Sequence, residues 1–208
     1  MLANTPGAGV RVARWRSRHW IMTCAPRKNG CLAAFWSRSP AERSCFSVPR
    51  TKTSDFMVDG VFLWWEERNQ ALSGVKQLII NLDNGPECNG RRRQFLLRMT
   101  EFADMTGLCV RLVYYPPYHS KYNGIERYWA GLEKSWNGYL LNTVDTVLKR
   151  ARNFFWKGMR IVVRLLDAPY EKGVKVCGNE KIELEQRLQR STVLQWWDIT
   201  IHPKVVLL

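Results

Sequence analysis

The stretch Val75-Lys76-Gln77-Leu78-Ile79-Ile80-Asn81-Leu82-Asp83-Asn84-Gly85-Pro86 decides how this chain folds. Its first part is a short apolar run centred on Leu78-Ile79-Ile80, which reads as a strand buried on both faces. Asp83-Asn84-Gly85-Pro86 then turns sharply at the strand's end. Downstream, Arg91 to Thr106 has helical periodicity, with Phe95, Met99 and Phe102 on one face and Gly107 as the stop. Val110 to Tyr115 is a second buried-type strand, halted by Pro116-Pro117. Ile125, Trp129, Leu132 and Trp136 then mark the core face of another helix. Strand, helix, strand, helix with short links predicts a parallel pair inside an α/β sheet.

The rest of the chain fits around that unit. Ser54 reads as the N-cap of a helix that carries Phe56, Met57, Val61, Trp64 and Trp65 and ends near Asn69. After the second unit come a helix from Val144 to Phe155, a strand pair within Ile161 to Val176, a charged helix from Glu180 to Gln189, and a strand over Trp196 to Ile201. Of 208 residues, 46% are hydrophobic and 24% charged, which argues against global disorder. No apolar run is long enough for a membrane span, and no segment resembles a signal peptide. Six cysteines stand apart, without a CxxC pair or a histidine at ligand spacing, which argues against a disulfide scaffold or zinc knuckle and suits a reducing cytoplasm. Thirty-two Lys and Arg against 18 Asp and Glu leave +14, which favours a polyanionic partner, nucleic acid first.

That charge is uneven. Residues 1–50 hold nine Lys or Arg and one acid, Glu42, with no aspartate and neither a helical nor a strand period. Two readings stand: an irregular basic tail, or a nucleic-acid arm in which Trp15 and Trp20 stack while Arg14, Arg16 and Arg18 meet phosphates. Residues 51–208 read as the folded domain.

Asp83 falls at the carboxyl end of a central strand, where α/β folds put their ligand sites, and Glu126 falls in the first turn of the helix after the next strand. Carboxylates from neighbouring elements at one sheet edge can share a hard divalent cation. The plainer alternatives are a turn aspartate before Asn-Gly and a glutamate that favours a helix N-terminus.

The wording of the segments adds to this. Leu82-Asp83-Asn84-Gly85-Pro86-Glu87, followed by Tyr114-Tyr115-Pro116-Pro117-Tyr118-His119-Ser120-Lys121-Tyr122-Asn123-Gly124-Ile125-Glu126, resembles the core of DDE transposases of bacterial insertion sequences, closest to the Rhodopirellula-type group. Thr53-Ser54-Asp55-Phe56, Trp64-Trp65 and Tyr170-Glu171-Lys172-Gly173-Val174-Lys175-Val176 look like the same group, so the resemblance runs from about 51 to 201. The 42 residues between Asp83 and Glu126 exceed the spacing commonest in DDE enzymes.

The resemblance implies an RNase H-like fold and two-metal phosphoryl transfer on DNA: Mg²⁺ or Mn²⁺ held by three acids, water nicking a transposon end, and the freed 3′-hydroxyl attacking target DNA. It makes Asp83 the second acid and Glu126 the third, both catalytic and metal-binding. Lys121 and Asn123 become contacts to phosphate and to sugar or base, and His119 and Arg91-Arg92-Arg93 further nucleic-acid contacts, each set against an ordinary loop or helix-start role. The implied partners are transposon ends and target DNA, with a homo-oligomer on DNA and a nucleoid-associated, cytoplasmic location. Gly124 stands where relatives tend to have Pro.

One departure matters. The first acid of this fold belongs on the first strand, upstream of Ser54, and residues 1–50 contain no aspartate. Asp55 and Asp59 are poor substitutes on the following helix, and no helix-turn-helix is evident. The expected product is a truncated, inactive transposase remnant, or a non-catalytic basic nucleic-acid-binding protein that keeps the fold. A frameshift before Thr51 explains the composition break, since out-of-frame translation of GC-rich DNA enriches arginine, proline and serine codons. Translation of the upstream DNA in the other two frames should recover strand-like text with an aspartate; stop codons throughout both frames would refute a frameshift.

Overall fold

Strand β4 (Gln77–Leu82) lies in the middle of the sheet because both of its edges are taken. On one side it runs parallel to β5 (Cys109–Tyr114), with Gln77 level with Cys109 and Leu82 with Tyr114. On the other it runs parallel to β1 (Ser17–Arg27), Ser17 level with Gln77 and Met22 with Leu82. The computed structural model describes residues 17–27, 30–36, 44–48, 52–116, 124–160, 162–166 and 168–204. Beyond β1 follow antiparallel β2 (Gly30–Trp36), then β3 (Ser44–Val48) and parallel β8 (Val162–Leu165); beyond β5 come antiparallel β10 (Asp198–Ile201) and β9 (Leu188–Arg190). The α/β class predicted from the sequence is observed, and the fold is RNase H-like: among β1 to β5 only β2 opposes the rest.

The first quarter departs from its reading. Residues expected to be irregular supply β1, β2 and β3, so the sheet does not begin at 51. Strand pairing is made by backbone amides and carbonyls, which every residue except proline carries in full. A segment without side-chain period can therefore extend an existing edge, and the β4 edge offers a parallel ladder of six register pairs.

Helices α1 (Ser54–Arg68) and α2 (Arg93–Thr106) pack together over one face. Leu78, Ile80 and Leu82 alternate into that cluster with Val110, Leu112, Phe56, Met57, Trp64, Phe95 and Phe102. Trp65, predicted for the core, is half-buried and meets the Phe102 ring edge-on at 6.5 Å. Thr53, not Ser54, caps α1, its Oγ1 accepting the Phe56 N–H at 3.1 Å. Ser54 is the first helical residue, and its hydroxyl donates to the Glu87 carbonyl at 2.7 Å, tying α1 to the loop after β4. Gly107 ends α2 as predicted, at φ 69°, with its N–H on the Ala103 carbonyl.

A second cluster joins α3 (Gly124–Ser135), α4 (Val144–Arg152) and Val163 of β8 through Ile125, Trp129, Leu132, Trp136, Val147 and Leu148. Both α1 and α3 touch β2, yet their clusters remain separate, so the helices cover opposite faces of the sheet. The expected strand pair in 161–176 is replaced by a tight hairpin, β6 (Phe155–Trp156) with β7 (Met159–Arg160), and the single strand β8. The charged helix is α5 (Gly178–Arg187), which packs on α2 and is tied to it by Arg187 on Asp104 at 2.6 and 3.1 Å.

The C-terminal hairpin is braced against the loop after β4. Arg111 on β5 grips Asp198 on β10 with bonds of 2.9 and 2.6 Å. A Cβ built on Gly90 would lie 2.1 Å from the Trp196 carbonyl oxygen, so only glycine lets the two backbones approach. Gly90→Ala should therefore push the hairpin away and lower stability by about 1–3 kcal/mol, the usual cost of overpacking. A urea midpoint equal to that of the wild type would contradict this close approach.

Candidate active site

Asp83 leaves the end of β4 and is followed by Asn84 at φ 59°, a left-handed conformation that asparagine tolerates. Asp83 Oδ1 accepts the Gly85 N–H at 3.2 Å and faces the Cys88 thiol, which donates at 3.5 Å. This is an Asx-type turn, so the plainer reading of Asp83 as a turn residue and the reading as a ligand are compatible, since the turn uses one carboxylate oxygen. Cys88 is fully buried, and burial first, then the Asp83 charge, push its thiol far above the usual range. It is a neutral donor here.

Lys52 also belongs to this loop. Its ammonium bonds Glu87 Oε2 at 3.3 Å, and a Cβ on Gly85 would lie 3.4 Å from both Lys52 Nζ and Asp83 Oδ1. Neither Lys52 nor Cys88 was legible as a site residue, because neither falls in a motif; the local turn carries Cys88 back to Asp83, and the packing of the α1 start on the loop brings Lys52.

Glu126 stands exposed in the first turn of α3. Partial desolvation raises its carboxyl above the usual range, the Asp83 charge raises it further, and Glu133 adds a smaller push. Asp83 and Glu126 are therefore electrostatic neighbours, although 42 residues separate them. Among the described residues no three His, Cys, Asp or Glu side chains gather at metal-ligand distance. Strand β1 reads Ser-Arg-His-Trp-Ile-Met-Thr-Cys-Ala-Pro-Arg and holds no acid; Met22 is level with Leu82, so Thr23 follows it beside the start of the Asp83 turn.

Asp55 and Asp59 are committed elsewhere. Asp55 accepts from Gln94 Nε2 at 2.8 Å and pairs with Arg98, while Asp59 pairs with Arg98 at 2.5 Å and accepts the Tyr170 hydroxyl at 2.9 Å. They fasten α1 to α2. His119, Lys121 and Asn123 lie outside the described residues. The arginine run divides: Arg92 is a brace, donating to Ser54 Oγ and the Val174 carbonyl, while Arg91 and Arg93 are exposed. Arg91 sits 5.0 Å from the Trp196 ring centroid, and Arg190 lies 4.6 Å from the same ring. Arg91 and Trp196, with Asn84, Asn89, Gly90 and Trp197, border a cleft of about 320 Å³ that starts one residue past Asp83.

The raised Glu126 carboxyl has a definite pH consequence. A carboxyl whose folded pKa exceeds its unfolded pKa contributes stability in acid and loses it as pH rises through the folded value. Glu126→Gln should raise the denaturation midpoint at neutral pH, with the advantage vanishing in acid where both forms are neutral. Asp83→Asn should lower the Glu126 titration midpoint in a carboxyl-carbon NMR titration. An unchanged midpoint would place the two charges too far apart to form one site.

No curated protein matches the chain. Among solved structures, a chain of the cryo-EM structure of the simian T-cell lymphotropic virus intasome in complex with PP2A regulatory subunit B56 gamma is similar at 17% identity and a TM-score of 0.42, covering 79% of this chain and 60% of that one. The HTLV-2 integrase catalytic core domain in complex with magnesium (dimeric form) is similar at 16% identity and a TM-score of 0.40, covering 69% and 91%. The Rhodopirellula transposase DDE domain matches residues 43–203, beginning inside the first quarter rather than at 51. The chain belongs to the Rhodopirellula transposase DDE domain family.

Proposed function

We propose that this chain is a transposase-derived DNA-binding protein that keeps two acids of a DDE site and does not carry out strand transfer. The observation that carries the reading is the pairing of a charge-coupled Asp83 and Glu126 with a β1 strand devoid of carboxylates. Two neighbouring carboxylates whose repulsion raises one of them fit a single Mg²⁺ or Mn²⁺, which would relieve that repulsion. They do not fit a pair of ions, since a two-metal clamp needs further oxygen ligands. A bound divalent ion supplies Lewis-acid stabilisation of phosphate charge; Asp83 and Glu126 would hold it, with Lys121, Asn123 and His119 expected to meet the DNA backbone or base edges. Arg91 and Arg93 are exposed and suited to phosphate, whereas Arg92 serves α1 and the 174 carbonyl.

An out-of-frame origin is part of the same reading for the residues upstream of 43, where the family match begins. Backbone amides and carbonyls are the same in any frame, so a shifted frame can supply the β1 and β2 positions while losing the acid that belongs on β1. Among the described residues no helix is long and apolar enough to cross a membrane, which suits a protein acting on DNA in the cytoplasm, in the nucleoid, where copies of the chain can associate on it.

The purified chain should bind DNA with weak sequence preference and steep salt dependence, as +14 implies several released counterions. Incubated with Mg²⁺ or Mn²⁺ and a labelled transposon end, it should yield no joined product. Joining that Asp83→Ala abolishes would show a working active site and overturn the proposal.

A further inference from the structure

Among the described residues, five arginines are held by acids. Arg98, Arg111, Arg164, Arg187 and Arg190 are each paired with a carboxylate of another element or a neighbouring turn. Between residues 139 and 160 the pattern reverses: Lys149, Arg150, Arg152, Lys157 and Arg160 share the segment with one acid, Asp145. Among the described residues, no ion pair involves any of these five. Cations in the last turn of α4 favour the negative end of the helix, which accounts for three of them. It does not account for the other two, nor for the rings beside them.

Two aromatic rings stand in solvent within this patch. Tyr139 is 49% exposed and Phe155 52%. Arg150 approaches the Tyr139 ring centroid at 3.1 Å, and Arg160 the Phe155 centroid at 5.1 Å. The rest of the hairpin explains why Phe155 is outside. Trp156, its neighbour, turns inward to the α3–α4 cluster, and strand alternation sends Phe155 the other way. A Cβ on Gly131 of α3 would lie 2.6 Å from the Trp156 ring, so the ring rests directly on the helix backbone. Lys157 and Gly158, at φ 50° and 79°, form the tight turn that holds Lys157 at the hairpin tip. Tyr139 against the last turn of α4 and Phe155 just beyond that turn thus share one end of α4. That end is fixed, through Trp156 and Gly131, to the helix whose first turn carries Glu126.

We infer that the end of α4 and the β6–β7 hairpin form a single-stranded DNA surface, with Tyr139 and Phe155 as stacking platforms and Lys149, Arg152, Lys157 and Arg160 along the phosphates. Each ring carries a guanidinium over one face and is about half exposed, which leaves room for an unpaired base to stack on the other face, and a base offers a ring face only when it is out of the duplex. A duplex would use the cations and leave the rings idle. This surface rests on the DNA-binding reading above and adds a second contact region to it, apart from the Asp83 loop.

Fluorescence anisotropy with a labelled oligothymidylate of about 20 nucleotides and with a duplex of the same length tests it. Tyr139→Ala combined with Phe155→Ala should weaken single-strand binding by about tenfold or more while changing duplex binding far less. Lys149→Gln with Arg152→Gln should weaken single-strand binding and flatten its salt dependence. Tyr139→Phe combined with Phe155→Tyr retains both rings and should bind as the wild type does, which separates stacking from misfolding. Equal losses on single strand and duplex, or no loss in the ring-deleted variant, would overturn the surface while leaving DNA binding in place. A wild-type chain that binds neither DNA would overturn both.

Discussion

The parallel ladders on either side of β4 are the constraint on which the rest of this structure depends. They place the strand's carboxyl end in the interior of the sheet, with β1 on one flank and β5 on the other. Asp83 is the residue just past that end, beside β1, which runs on to Arg27, and the end of β5 at Tyr114. The backbone then bends at once, through the left-handed Asn84 and the Gly85 N–H bonded back to Asp83. The side chain is thereby held in place before any ligand arrives, as preorganised sites require. Glu126, in the first turn of α3, has its carboxyl raised first by partial desolvation and then by the Asp83 charge, and it is this coupling that the proposed cation site rests on.

Ion pairing elsewhere serves a different purpose. Arg98 draws Asp55, Asp59 and Glu101 into one cluster between α1 and α2. Arg111 and Asp198 staple β5 to β10, and that bond holds the Asp198 carboxyl below the usual range. Such partly exposed pairs contribute little individually to stability. They do consume the acids of the α1–α2 face, which leaves the surplus positive charge concentrated where no carboxylate answers it. The net charge of the chain is thus less informative than its distribution.

Much of this was legible in the amino-acid order. The run Leu78-Ile79-Ile80 bounded by Asp83-Asn84-Gly85-Pro86, the period of Phe95, Met99 and Phe102, and the stop at Gly107 led to β4, α2 and their connection with boundaries within a few residues. The N-cap was misplaced by one residue because Thr53 and Ser54 are both good caps, and the choice is made by the Ser54 bond to Glu87, a contact invisible locally. Strands β1 to β3 were missed for a physical reason. Pattern reading relies on side-chain period, while the ladders that place β1 to β3 between β4 and β8 are made by backbone groups that carry no such period. Lys52 and the Trp196 brace escaped for the complementary reason: they reach the Asp83 loop by tertiary packing. The close pass of Gly90 under Trp196 has no signature in either segment alone.

If the missing β1 carboxylate is what separates this chain from a working DDE site, restoring one should restore metal affinity. The register of β1 on β4 indicates position 23, the residue after the Met22–Leu82 pair. Mn²⁺ binding followed by electron paramagnetic resonance should be weak for the wild type and about tenfold or more tighter for Thr23→Asp, a gain that Asp83→Asn removes. Tight binding by the unaltered chain, or no gain from the added acid, would contradict the claim that this site lacks its third ligand.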